Sequence, residues 1–170
     1  MSSKLVRFLF SLLGLFVVMV CLVRIAVAQE PPSGGPPMSE DEAAIRQAYK
    51  DWDRFLLERD LDSVTAMMMK DASFESNGKK YKVLAWRRAY DTQVTSLVHC
   101  HTRIDGIRVQ GKTADVKTWC EQRYTNLHID GTEKKKFIIR SASLDQWVKT
   151  PEGWRLKSSK QQEVDVEPIE

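Results

Sequence analysis

Basic residues are not in excess where a folded domain would need them. The 170 residues contain 26 Lys and Arg against 23 Asp and Glu, and the first 28 residues hold Lys4, Arg7 and Arg24 and no acid. From Gln29 onward the formal charge is therefore zero, with 23 bases against 23 acids. A nucleic-acid partner needs a cationic surplus to neutralise phosphates, so that class of function is set aside. Histidine is scarce at three residues, and no His, Cys, Asp and Glu spacing stands out as a metal-ligand motif. Neither metal nor cofactor is expected. Cysteine is scarce too: Cys21, Cys100 and Cys120. There is no internal repeat. The one low-complexity tract is Glu30-Pro-Pro-Ser-Gly-Gly-Pro-Pro37, too rich in proline and glycine to pack, and it reads as a tether over 29–38.

What precedes the tether reads as an address. Met1 to Arg7 is basic, and Phe8 to Val23 is apolar apart from Ser11. Ala26 and Ala28 place small residues at positions three and one before a cut. The apolar run is short for a spanning helix, which wants about 20 residues. The expectation is a signal peptide over 1–28, leaving a periplasmic or secreted protein with no stable membrane insertion after cleavage. An uncleaved anchor is the rival reading, and Arg24 supports it.

The domain then opens with helices. Ser39 and Glu42 have capping-box spacing. Ile45, Ala48, Tyr49, Trp52, Phe55 and Leu56 recur at helical steps, with Arg46, Lys50, Asp51, Asp53 and Arg54 opposite. A short helix is expected over Leu61–Met69, capped by Asp60 or Asp62, with Met67-Met68-Met69 as core. Asn77-Gly78 is a turn, and Val83–Leu97 a further helix. After that the period falls to two. Strands are expected over Val98–Val109, Ala114–Leu127, Lys136–Lys149 and Trp154–Val164, joined at Gln110-Gly111, Asp130-Gly131 and Pro151-Glu152-Gly153, with a bulge at Gly106. Residues 165–170 are left as a tail. Lys134-Lys135-Lys136 reads as a solvated hairpin tip. Helices followed by an antiparallel meander make an α+β domain over 39–164, the sheet curving around the helices.

Two stretches carry a family resemblance. Arg59-Asp-Leu-Asp-Ser-Val-Thr-Ala-Met-Met-Met-Lys-Asp-Ala-Ser-Phe74 resembles the "GDLDALLALFADDAVF" segment of the nuclear transport factor 2-like superfamily, in its SnoaL-like and ketosteroid-isomerase-like branch. Leu144-Asp-Gln-Trp-Val-Lys-Thr-Pro-Glu-Gly-Trp-Arg-Leu156 resembles that family's "DVWVKRDGKWKL" hairpin, and Gly111–Val116 its "GDTAVV" strand entry. The resemblance implies a cone-like fold, a pocket between sheet and helices, and often a homodimer. In steroid-isomerase relatives a Tyr on the first helix and an Asp after the first strand do the chemistry, with a second Asp as hydrogen-bond donor. Counting from Asp62, those positions fall on Trp52, Ser76 and Asp145. Serine is not a carboxylate base, so the count speaks against isomerase chemistry. Glu75 is adjacent to Ser76 but is expected on the other side of its strand.

The remaining candidates follow from strand register. The expected pairing puts His99 beside Glu121, His101 beside Trp119, Arg103 beside Lys117, and Cys100 opposite Cys120. A His near a carboxylate suits a general base. The plainer reading is a polar outer or dimer-facing surface. Cys100 and Cys120 are either a disulfide, given export, or two thiols on the core face with Ile104, Val116 and Thr118. Tyr49, Trp52, Phe55, Trp86, Tyr90, Trp119 and Asp145 are the expected pocket lining, with core packing as the plainer account of the aromatics.

Three functions remain open from the sequence. The first is an exported, dimeric module binding a small apolar ligand. The second is an enzyme of the same fold (a small hydrolase, dehydratase or isomerase) with His101 as base and Asp145 and Trp52 orienting substrate. The third is an assembly module for another exported protein. The first two differ in which face of the sheet points inward: the His99/His101/Glu121 face or the Cys100/Thr102/Ile104 face.

Overall fold

The computed structural model describes residues 38–127 and 135–169. The expected leader over 1–28, the expected tether over 29–38 except Met38, the Asp130-Gly131 turn and Lys134 lie outside them; Lys136 is exposed. Helix α1 spans Glu40–Glu58. Ser39 caps it, its hydroxyl accepting the Glu42 N–H at 3.1 Å. Glu42 does not complete the box; its carboxylate reaches forward to Arg46 at 2.8 Å. Arg59 ends the helix in the left-handed region at φ 62°, and the Asp60 N–H returns to the Phe55 carbonyl at 2.8 Å. Asp60 then caps the short helix α2, Leu61–Ala66.

Helix α2 ends three residues short of the expected Met69, and the chain is extended from Met68. Strand β1 runs Met68–Ser76, so Met68 is buried at the start of a strand, and helix α2 ends before the methionine run. Asn77 and Gly78, with φ of 50° and 73°, form the tight turn into β2, Lys79–Lys82. Neither strand shows in the residue periodicity, because β1 is short of alternation and β2 is four exposed residues. Helix α3 covers Val83–Gln93 and a 3₁₀ turn follows at Val94–Ser96. Then come β3 (Leu97–Gln110), β4 (Thr113–Leu127), β5 (Lys135–Thr150) and β6 (Gly153–Ile169). Strand β6 runs five residues beyond Val164, through most of the expected tail.

The six strands form one sheet in the order β2-β1-β6-β5-β4-β3. Every pairing is antiparallel except β1 with β6. The fold is α+β, with the helices packed against a curved, mainly antiparallel sheet. The core lies between them. Ile45, Leu56 and Val64 come from the helices; Val116, Tyr124 and Trp147 come from the sheet, and all six are fully buried.

The β3–β4 register differs from expectation by two residues. The turn is Gly111-Lys112, with Gln110 opposite Thr113 and Gly111 at φ 59°. A two-residue hairpin loop with glycine first favours that placement. The bulge leaves Asp105 without a partner, between Ile104↔Thr118 and Gly106↔Lys117. So His99 pairs with Arg123, His101 with Glu121, Arg103 with Trp119, and Cys100 with Gln122. Cys100 and Cys120 are not opposed, and both are free thiols. A two-residue slide keeps every side chain on its face.

Asp53, expected on the charged side of α1, turns instead toward β3. Its carboxylate accepts from the Thr102 N–H at 2.6 Å, the Thr102 hydroxyl at 2.7 Å and the Cys100 thiol at 3.3 Å. Strand β3 ends the sheet, so that N–H has no strand partner to bond. Asp53→Ala is expected to lower the unfolding free energy by about 1–3 kcal/mol, the cost of leaving such a donor unmet. A urea midpoint unchanged from wild type would show the clamp to be idle.

Candidate functional site

Alternation along β3, β4 and β5 decides what faces the helices. Cys100, Thr118, Gln122, Asp145 and Trp147 are buried on the inner face. His101, Arg103 and Arg123 are exposed on the outer one. It is the Cys100/Thr102 face that points inward. His101 therefore stands outside, in register with Glu121, and cannot serve the pocket as a base. His99 Nε2 lies 4.0 Å from Glu121, whose carboxylate is held low by Arg123 at 2.8 Å and Arg140 at 3.1 Å. Trp119 is on this outer face too, beneath the Arg103 guanidinium at 5.1 Å.

Between helices and sheet lies a cavity of about 450 Å³. Of the expected lining, Tyr49, Trp52, Trp86, Tyr90 and Asp145 border it. Phe55 does not; it packs on the core with Arg54 over its ring at 4.3 Å. Residue spacing gave no sign of Phe74, Gln122, Tyr124 or Ser159, which also border it. They come from strands whose partners and register must be known first.

One wall is aromatic. Trp86 stacks on Phe74 with ring centroids 5.3 Å apart and on Tyr90 at 4.6 Å, and Trp52 tilts against Trp86 at 5.7 Å. Opposite it, β4 and β5 supply a polar floor with two centres. At the first, Gln122 Nε2 donates to the Tyr90 hydroxyl at 2.8 Å while Tyr124 donates to Gln122 Oε1 at 2.9 Å. Burial pushes the pKa of both phenols up, making them weaker acids. The Cys100 thiol is raised as well, by its hydrogen bond with Cys120 and then by burial.

The second centre is Asp145. The Trp147 indole N–H can only donate, and it donates to the Tyr49 hydroxyl at 2.9 Å. Tyr49 in turn donates to Asp145 Oδ2 at 2.6 Å. Burial raises the Asp145 proton affinity, and Ser159, Tyr49 and Thr118 pull it back by favouring the charged form. Oδ1 makes no geometrically complete hydrogen bond. The tyrosine that meets Asp145 is thus Tyr49, one helical turn before Trp52, where counting along the sequence placed it. Ser76 lines the mouth and bonds Gln161. Glu75, expected to face away, also lines the mouth, its carboxylate 3.3 Å from Lys160.

A family model, SnoaL-like domain, matches residues 37–160. The chain belongs to the SnoaL-like domain family. Solved structures resemble it at low identity. A conserved protein from Planctomyces limnophilus superposes with TM-score 0.64 at 17% identity, covering 76% of this chain and 98% of that one. A candidate scytalone dehydratase from Novosphingobium aromaticivorans gives 0.60 at 14%, over 75% and 87%. A candidate Ca/calmodulin-dependent kinase II association domain from Exiguobacterium sibiricum gives 0.57 at 16%, over 81% and 98%. No curated protein matches the sequence. Neighbours named for an enzyme and for an association domain share this SnoaL-like fold, so activity has to be argued from the site. Among the described residues no helix is long and apolar enough to cross a membrane, and no group of metal-ligating side chains gathers.

Proposed function

We propose that this SnoaL-like domain binds one small, mostly apolar ring compound in its cavity and does not turn it over. The carrying observation is the cavity itself: about 450 Å³, aromatic on one wall, polar on the other. That size and lining suit a small-molecule site. Turnover finds little support. General acid–base work needs a titratable group within reach of the reacting atom. His101 is on the far side of the sheet, and Glu75 is tied to Lys160 at the mouth. Asp145 is left, and its Oδ2 is already engaged by Tyr49.

Export and pairing of two copies through the outer sheet face belong to the same proposal. The basic, apolar and Ala-x-Ala pattern of residues 1–28 supports the first. The exposed Val98 and Leu144 among outer-face charges support the second. Native mass spectrometry of the full chain, expressed with its first 28 residues and titrated with 1-naphthol, tests all three. The expected spectrum is a dimer beginning at Gln29 that takes up one naphthol per chain. A chain that takes up none near the solubility limit of the probe overturns the binding assignment. A monomer, or an uncut chain, overturns the corresponding part.

A further inference from the structure

The cavity is long and narrow, and it opens at one end. Every second residue of β5 from Ile139 to Trp147 borders it, and those two stand eight residues apart, about 27 Å of extended chain. A volume of about 450 Å³ drawn out along that strand is a trough and not a round chamber. Its inner end is sealed, with Trp147 at 0% and Leu156 at 3% exposure. Its outer end is apolar yet uncovered. Val164 and Val166 border the cavity at 41% and 44% exposure, and Tyr81 of β2 borders it at 38%. Strand β1 pairs with β6 as far as Glu75↔Lys160, so β6 carries Val164 and Val166 beyond it, opposite Ser141 and Ile139 of β5. Among the described residues that border the trough there is no Lys, Arg or His. Its two carboxylates are engaged, Asp145 by Tyr49, Ser159 and Thr118, and Glu75 by Lys160 and Lys80.

We propose that the ligand is a neutral ring compound carrying an unbranched aliphatic chain, its ring in the enclosed part beside Trp52 and Trp86 and its chain laid outward over Ile139, Val164 and Val166. This rests on the binding function proposed above and narrows it. A compact ring compound covers only part of the trough and leaves the outer valines in water. A chain takes apolar surface out of water on both sides of the contact, and the gain scales with that area. Apolar side chains scattered singly over a surface need no account. Val164 and Val166 are different: they share one face of β6 and continue the floor of the cavity. The chain is unbranched because a narrow trough leaves no room for side methyls against close-packed walls. The ligand is neutral because an ion inside would lose its water and find no free counter-charge.

A series with one ring tests it: 4-ethyl-, 4-butyl-, 4-hexyl- and 4-n-octylphenol, titrated calorimetrically into the full chain near neutral pH. Each added methylene is expected to tighten binding about two- to threefold, short of the roughly fourfold of a fully buried CH₂ because the chain stays partly wet and loses rotamer freedom. The branched isomer 4-tert-octylphenol has the same carbon count as 4-n-octylphenol and is expected to bind about fivefold or more weaker, a difference in which the shared apolar transfer largely cancels. The double variant Val164→Ser, Val166→Ser should weaken the octyl compound more than the ethyl one and flatten the series. Both valines are exposed, so little of the core is disturbed. If that variant does not fold, the linear and branched isomers on the wild-type chain still decide. Equal affinity along the series, a branched isomer that equals the linear one, or a slope untouched in the folded variant overturns the chain assignment and leaves ring binding standing. Failure of every phenol to bind overturns both.

Discussion

Trp147→Ala is expected to lower the unfolding free energy by about 3–5 kcal/mol, a large part of the margin of an ordinary domain. Trp147 is fully buried and sits in the middle of the sheet, opposite Ala114 on one side and Leu156 on the other. Its ring meets Tyr49 edge-on, with centroids 5.3 Å apart and planes at 65°. The indole N–H is the donor that fixes which way the Tyr49 hydroxyl points. Truncation removes the largest fully buried side chain, opens a void beside the cavity and frees Tyr49 to rotate. Trp119→Ala is the control. It removes the same side chain from the outer face, where the ring is half-buried beneath Arg103, and should cost no more than about 1 kcal/mol. Urea unfolding followed by circular dichroism compares the two. Equal losses would mean that the inner face does not carry the core.

The two tryptophans also mark how far the sequence could be read. Both lie at alternating positions in strongly periodic strands, so each strand and its two faces were legible from period alone. Which face turned inward was not. That depends on what the helices cover, and it became readable only once Asp145 and Trp147 were seen beneath Tyr49. The β3–β4 register turned on one choice, whether the hairpin loop was Gln110-Gly111 or Gly111-Lys112. Moving the turn by one residue slides the partners by two. Faces survive such a slide; partners do not. This is why Cys100 met Gln122 and not Cys120, while still pointing at the core.

Helix α1 was legible for a different reason. Ser39, the apolar stripe and the acidic first turn all act locally, within a few residues of one another. The family segment from Arg59 to Phe74 fixed the order of elements, yet the step from helix to strand at Met68 escaped a reading by period. Nor did counting from Asp62 find Tyr49, since one helical turn separates it from Trp52 and both reach the same cavity. Asp53 was misplaced because its partner, the open edge of β3, belongs to a strand some fifty residues away.

Tyr49→Phe should cost about 3–5 kcal/mol near neutral pH and clearly less near pH 4. At neutral pH the variant removes a hydrogen bond to a buried carboxylate, about 1.5–3 kcal/mol, and strands the Trp147 N–H, about 1–3 kcal/mol. The pH dependence follows from Asp145. Burial raises its proton affinity in the folded state above the ordinary value of 3.8, so folding favours the protonated form. Its contribution to stability is therefore fully present below that value and is lost as pH climbs through the raised one. The Tyr49 hydrogen bond favours the charged form and limits the loss. Without it the proton affinity rises further, and stability keeps falling over a wider span of pH. Below the ordinary value both proteins hold Asp145 protonated, and the difference shrinks to that of neutral hydrogen bonds. Urea unfolding of both chains at pH 4 and pH 7 measures the two gaps. A gap that stays constant would mean that Tyr49 does not hold the Asp145 carboxylate in its charged form.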